Sequence, residues 1–255
     1  MPITVSQLQI APVKGLRVTP VDEVELTPSG PRGDRGYGVI DAKTHKLALT
    51  TRNRSLLRIA AGIDPASGEL TLKFPGGDVV SEVPQPGEPA TTAVYDGREV
   101  AGRLVAPGPL TDALAKHFRR GVRLIAFDPE ETRGDDAPVT LMSRASLEAL
   151  APALDGQTPD ARRFRMTITI DGAGAWEEHG WSGRELEVGE ARLAVVDPVP
   201  RCAVTTHGPE TGDRDLPVLK ALAELRGKKD VTFGVWCRVV DPGRVRIGDS
   251  VALRD

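Results

Sequence analysis

Glycine and proline break this chain about every eight to twelve residues, and that spacing constrains the fold more than any other feature, because it suits the short strands of a β-barrel or sandwich. The segments between the breaks are short and alternate in polarity. Ile3, Val5, Leu8 and Ile10 open the chain as a strand, and residues 21–26, 37–40 and 47–50 read the same way. Asp96-Gly97, between Val94-Tyr95 and Arg98-Glu99-Val100, predicts a two-residue hairpin. Gly189-Glu190 joins residues 186–188 to 192–196, and Gly248-Asp249 joins 245–247 to 251–253, as two further hairpins. Residues 75–90, rich in glycine and proline, read as a surface loop.

Three helices interrupt the strands. Thr111 caps residues 112–120, where Leu114 and Phe118 lie one turn apart. The strand 122–127 follows, then an acidic polar stretch over 128–136. Ser143 caps a second helix carrying Leu147, Leu150 and Ala151, and residues 216–226 place Leu219, Leu222 and Leu225 on one side of a third. The reading is a mainly-β, α+β protein of two lobes, 1–114 and 115–255. A chain of 255 residues has room for both.

Composition excludes several partners. With 33 basic and 36 acidic side chains the net charge is -3, which does not suit a general nucleic-acid binder. Two cysteines far apart make neither a disulfide framework nor a zinc or iron–sulfur site, and they point to a reducing compartment. The start Met1-Pro2-Ile3-Thr4-Val5 has no basic or apolar leader, and no segment is long enough to span a bilayer. A soluble, cytoplasmic protein with no membrane partner is expected.

No phosphate-loop motif occurs, and Gly172-Ala173-Gly174 is too little for a dinucleotide site. Gly180-Trp181-Ser182-Gly183-Arg184 fails as a nucleophile elbow because arginine replaces the last glycine. His45, His117, His179 and His207 lack zinc-protease spacing. His207 is placed in a surface turn beside Gly208-Pro209, with proton donation near Cys202 as its other reading. Trp176 and Trp181 read as packing. Cys202 in Pro200-Arg201-Cys202-Ala203 is either an inert packed thiol or a soft ligand for a thiophilic metal, beside a guanidinium suited to phosphate. Lys14, Arg35 and Arg165 each sit at a strand boundary, where a side chain can face solvent or a ligand. Ser143 lies at a helix start, a position that also suits anions.

In order along the chain, these segments resemble the MOSC-domain proteins, more closely those with an N-terminal MOSC β-barrel domain. The resemblance is carried by Ile10-Ala11-Pro12-Val13-Lys14-Gly15, Gly33-Asp34-Arg35-Gly36-Tyr37 with Val39-Ile40-Asp41, and Leu49-Thr50-Thr51-Arg52. It continues through Leu141-Met142-Ser143-Arg144-Ala145-Ser146-Leu147, Arg163-Phe164-Arg165, Arg201-Cys202, Thr205-Thr206 and Pro209-Glu210-Thr211-Gly212. Phe233-Gly234, Asp241-Pro242-Gly243 and Ile247-Gly248-Asp249 close it. The family includes the mitochondrial amidoxime reducing component and its bacterial relatives.

The resemblance implies an N-terminal MOSC-type barrel followed by a MOSC barrel, and a molybdenum cofactor of molybdopterin type. It implies reduction of small N-hydroxylated substrates with electrons from a separate ferredoxin- or flavoprotein-type partner. A domain-level association with pyridoxal phosphate binding also comes with it and rests on no residue of this chain. Cys202 would be the catalytic residue and the ligand to molybdenum. Lys14, Arg35, Arg165 and Arg201 would hold the pterin and its phosphate, with Ser143 contributing at its helix start. Gly15, Thr167 and Trp236 stand where the reductases carry serine, asparagine and tyrosine, and Met166 where they carry proline. Those changes leave the substrate open. A cysteine can also carry a persulfide, so a sulfur-transfer role or a cofactor carrier without turnover are the alternatives.

Overall fold

The computed structural model describes residues 2–94, 97–129, 137–228 and 231–254, and in them strands dominate over short helices. Seven strands close into a barrel: Ile168–Asp171, Val139–Ser143, Thr232–Asp241, Ala191–Pro200, Glu185–Val188, Ser250–Arg254 and Ile3–Ile10, which pairs back onto the first. The N-terminal strand therefore completes a barrel whose other strands come from the second half of the chain. Val5 and Leu8 are three residues apart, and strict alternation would send them to opposite faces. A register shift between Val5 and Gln7 turns both inward. They meet Ile168, Ile170, Leu186, Leu193 and Val235 in one core, where each fully buried aliphatic side chain contributes about 1.5–3 kcal/mol.

The other lobe packs a five-stranded sheet against a three-stranded one. The first runs Pro86–Ala93, Glu99–Val105, Val122–Phe127, Tyr37–Asp41, Val13–Lys14; the second runs Ala60–Ile63, Leu70–Lys73, Val79–Glu82. Val39, Leu70, Leu72 and Leu124 fill the space between them, with Leu110 and Leu114 from the helix Pro109–Phe118. A third core joins the helices to one end of the barrel, with Phe164 and Phe233 stacked at 4.0 Å between ring centroids. Gly234 is required beside it. Its φ is +67°, and a Cβ there would lie 2.4 Å from Met166 Cε and 2.7 Å from the Leu141 carbonyl oxygen.

Several sequence expectations change. The first helix starts at Pro109, and Thr111 is not its cap but its third residue, with the hydroxyl accepting the Gly108 N–H at 3.0 Å. Residue 114 falls inside this helix, and Val122–Phe127 pairs with Tyr37–Asp41 of the first lobe. Gly248-Asp249 does not close a hairpin. Gly243–Arg246 pairs with Glu23–Thr27, whereas Ser250–Arg254 pairs with Glu185–Val188 and Ile3–Ile10. The turn is instead pinned to the barrel rim by Gly248 N–H donating to Val5 O and Val5 N–H donating to Asp249 O, both at 2.8 Å.

Residues 47–50 form no strand, and residues 75–90 are not one loop, since Val79–Glu82 and the start of Pro86–Ala93 lie within them. In the third helix, Val218–Arg226, the core face is Val218, Ala221 and Leu222, and Leu225 is 47% exposed. The hairpin at Asp96-Gly97 is seen only from its arms, which pair Ala93 with Glu99; Tyr95 and Asp96 lie outside the described residues, as does 130–136 of the acidic stretch. No helix among the described residues is long and apolar enough to cross a membrane.

Candidate functional site

A cleft of about 550 Å³ opens between the two lobes. Lys14, Gly15, Arg35 and residues 47–52 line it from the N-terminal lobe; Thr140, residues 163–166, 199–202, Val204, Thr205 and Trp236 line it from the barrel. Among the described residues the lining contains no carboxylate and no imidazole, but it holds Lys14, Arg35, Arg52, Arg163, Arg165 and Arg201. Such a surface selects anions.

Local backbone shape aims these cations. Arg35 and Arg165 both occupy the left-handed region, at φ +48° and +55°, which is uncommon for side-chain-bearing residues and clusters at functional sites. Arg35 is anchored by Asp34, an ion pair made through Nη1, while Asp34 Oδ1 accepts the Ala11 N–H at 2.6 Å. The guanidinium also donates through Nη2 to the Arg165 carbonyl at 3.3 Å, and Arg165 Nη1 donates to Leu16 O at 2.7 Å. The two arginines thus clasp the lobes together at the cleft. Gly15, at φ +89°, turns the chain directly after Lys14; a Cβ there would meet Thr50 Oγ1 at 3.2 Å, so a serine hydroxyl at this position would come with strain.

Arg201 is the most demanding member. Its guanidinium donates to Phe164 O and, at 3.5 Å, to Met166 Sδ, and its carbon lies 5.5 Å from the Phe164 ring centroid. Nε is buried with no hydrogen-bond partner. Burial pushes its pKa down to about 10, opposed by the neighbouring Cys202 and reinforced to a lesser extent by the charge of Arg35. A half-buried cation with one orphaned donor is a group that an anion in the cleft would satisfy. Next to it Cys202 is exposed, in extended backbone just before the 3-10 helix Ala203–Thr206. Cys237 is fully buried in the barrel core, where desolvation pushes its thiol up to about 12, so it packs and does not react.

The structure therefore brings together seven of the residues singled out from sequence: Lys14, Gly15, Arg35, Arg165, Arg201, Cys202 and Trp236. Ser143 is not among the cleft-lining residues. It is fully buried, makes no side-chain cap, and its hydroxyl donates to Ala173 O at 3.2 Å, while the helix it precedes is only Arg144–Glu148. Its anion-binding reading falls for that reason. Thr167 is also absent from the lining. It sits behind Thr140, whose Oγ1 accepts the Thr167 N–H at 2.8 Å. His207 is not in a surface turn: it is 5% exposed, and burial, then Arg54 and Arg214, push its pKa down.

Sequence reasoning missed Thr140 and the role of Asp34. The signal for Asp34 was its place directly before the left-handed Arg35. Arg163 was read only as the start of a motif, yet it is 6% exposed and forms a two-pronged ion pair with Asp215 at 2.8 Å on each arm. Arg163 holds the Asp215 carboxyl below the usual range. The stabilisation is present above the ordinary carboxylate pKa and is lost as pH falls through the lowered one. Asp215→Asn should cost about 1–3 kcal/mol near neutral pH, because it leaves a buried guanidinium half satisfied. The difference in melting temperature from wild type should shrink toward pH 3.

A closed barrel and a lobe of packed sheets, with cations and an exposed thiol in the cleft between them, define a two-lobed β protein whose cleft suits an anion beside a soft donor. The family comparisons agree with this architecture. The MOSC N-terminal beta barrel domain matches residues 2–117 and the MOSC domain matches residues 128–252, and the chain belongs to the MOSC family. It is 27% identical over 283 residues to mitochondrial amidoxime-reducing component 1 of Mus musculus, covering 98% of this chain and 82% of the relative. It is 28% identical over 268 residues to molybdenum cofactor sulfurase of Caenorhabditis briggsae, covering 97% of this chain and 36% of that protein. Among solved structures, the YuaD protein from Bacillus subtilis aligns over 99% of this chain and 96% of that one, at 11% identity and a TM-score of 0.47.

Proposed function

We propose that this protein is a molybdenum-cofactor-dependent oxidoreductase that reduces N-hydroxylated compounds. The observation that carries the reading is the pairing of an exposed thiol, Cys202, with the guanidinium of Arg201, whose Nε is buried without a partner, in a cleft lined by no carboxylate among the described residues. Among the described residues no three His, Cys, Asp or Glu side chains converge on one point. A metal at Cys202 therefore has to bring its other ligands with it, as a metal-bearing cofactor does. The donor set fits such a group: one soft thiolate for the metal, and guanidinium forks and an ammonium for a phosphate.

When bound, the cofactor supplies a two-electron redox couple and an open coordination position. The chain's own residues bind and orient. Cys202 would ligate the metal through its thiolate. Arg201, Arg165 and Lys14 take the anionic portion, and Arg35, already neutralised in part by Asp34, keeps the lobes clasped around it. Phe164, Met166, Val199 and Trp236 give the cleft an apolar wall. In the net reaction the N–O bond breaks, two electrons and two protons enter, and water leaves. Among the described residues the lining holds no carboxylate or imidazole to donate the protons, and solvent would supply them.

Support for the cofactor comes from the relatives named for amidoxime reduction and for the molybdenum cofactor. Holoenzyme supplied with a chemical reductant should convert a hydroxylamine-type or amidoxime substrate to the corresponding N–H product, followed by chromatography. Tight cofactor binding without turnover of any such substrate would instead favour a carrier, and a labile sulfur on Cys202 in intact-mass spectra would favour sulfur transfer.

A further inference from the structure

Between Asp41 and Asp64 the chain carries Lys43, Lys46, Arg52, Arg54 and Arg58 and no acidic residue, although its net charge is -3. This span supplies the cleft wall at residues 47–52 and runs directly into the 3-10 helix Arg54–Arg58. Arg52, Arg54 and Arg58 are exposed, and among the described residues no carboxylate pairs with them. The barrel wall is different. There Arg192 pairs with Glu185 and Asp241, Arg246 with Glu23 and Glu190, and Arg254 with Glu187.

The second lobe extends this basic rim. Gly212 seats its loop against the helix so closely that a Cβ would lie 2.5 Å from Arg54 O. Arg214 on that loop is exposed and, like Arg54, lies near enough to His207 to lower its pKa. The carboxylates nearby are engaged, Glu210 with Arg162 at 2.9 Å and Asp215 with Arg163 at 2.8 Å, which leaves exposed Asp213.

We infer that Arg52, Arg54, Arg58 and Arg214 form the docking surface for an acidic redox protein that delivers electrons at the mouth of the cleft; this rests on the reductase reading above. The rim spans both lobes, and apart from Arg52 its arginines lie outside the cleft lining, so it is wider than a small anionic ligand needs. Arginine is enriched at protein interfaces, and complementary charge speeds encounter in a salt-dependent way. Arg52 lines the cleft that also holds Cys202, so a protein seated on the rim delivers electrons beside the thiol.

The test uses holoenzyme turning over a hydroxylamine-type substrate, driven either by an acidic [2Fe–2S] ferredoxin or by dithionite, in wild type and in the Arg54→Glu/Arg58→Glu variant. Ferredoxin-driven kcat/KM is expected to fall at least about tenfold in the variant at low ionic strength, and to lose the decline with added salt shown by wild type. Dithionite-driven turnover and molybdenum content should stay at wild-type levels. Wild-type ferredoxin kinetics in the variant, or a wild-type rate with ferredoxin that is absent or indifferent to salt, would overturn the surface. Absence of dithionite-driven turnover in wild type would sink the reductase reading, and the docking inference with it.

Discussion

Cys202→Ala is expected to abolish retention of molybdenum and to lower reductase activity by more than about 100-fold, since loss of even an outer-shell partner costs up to that much. The fold should not notice. The Cys202 side chain is exposed and belongs to none of the hydrophobic cores, and the carbonyl that accepts the Thr205 N–H and hydroxyl is backbone. The variant should therefore melt at the wild-type temperature without cofactor. Cys237→Ala reverses the pattern. It removes a fully buried side chain from the barrel core, so it should lower stability and leave molybdenum binding in place. Melting curves and metal content of the two variants separate a ligand from a packed thiol.

Arg201→Met should produce the second largest effect, again separating binding from stability. Loss of one charge-assisted contact to the cofactor anion costs about 1.5–3 kcal/mol, roughly 10–100-fold in affinity. Without ligand, the same change removes a desolvated cation with an orphaned Nε near the charge of Arg35, which offsets the lost bond to Phe164 O, so the cofactor-free protein should melt close to wild type. Arg201→Lys keeps the charge but not the planar fork, and should fall between the two in affinity. Molybdenum retained after prolonged dialysis, set against the melting temperature of cofactor-free protein, reads both effects. If affinity and stability fall together, Arg201 is a structural arginine.

Much of the strand content was legible because it is local. Residues 122–127 are a short run of mostly branched apolar side chains interrupted by Arg123, and the strand Val122–Phe127 occupies that span. The hairpin at Gly189-Glu190 also held, since its arms Glu185–Val188 and Ala191–Pro200 pair with each other. Gly248-Asp249 has the same look but fails, because each of its arms finds a better partner far away in sequence. Nothing local tells a chain that its first strand will close a barrel made by its last half. The first helix was placed late because the hydroxyl of Thr111 serves Gly108 from inside the helix instead of capping it from outside.

The candidate site divides along the same line. Lys14, Arg35, Arg165, Arg201 and Cys202 stand out by type and order along the chain, and the lobes bring them to one cleft. Ser143 was misread because a serine before a helix is ambiguous until its depth is known, and here the barrel buries it completely. Asp34 and the left-handed backbone at Arg35 and Arg165 are visible only in three dimensions. His207 illustrates the converse error. Turn-forming neighbours suggested solvent, but its loop folds back against Arg54 and buries the ring.

The central claim is that Cys202 and the cleft cations hold a molybdenum cofactor. Its most direct test is the molybdenum content, by elemental mass spectrometry, of protein purified from a host that makes the cofactor, beside Cys202→Ala prepared identically. Close to one molybdenum per wild-type chain is expected, with background levels in the variant. Background molybdenum in wild type, or equal molybdenum in both proteins, would contradict it.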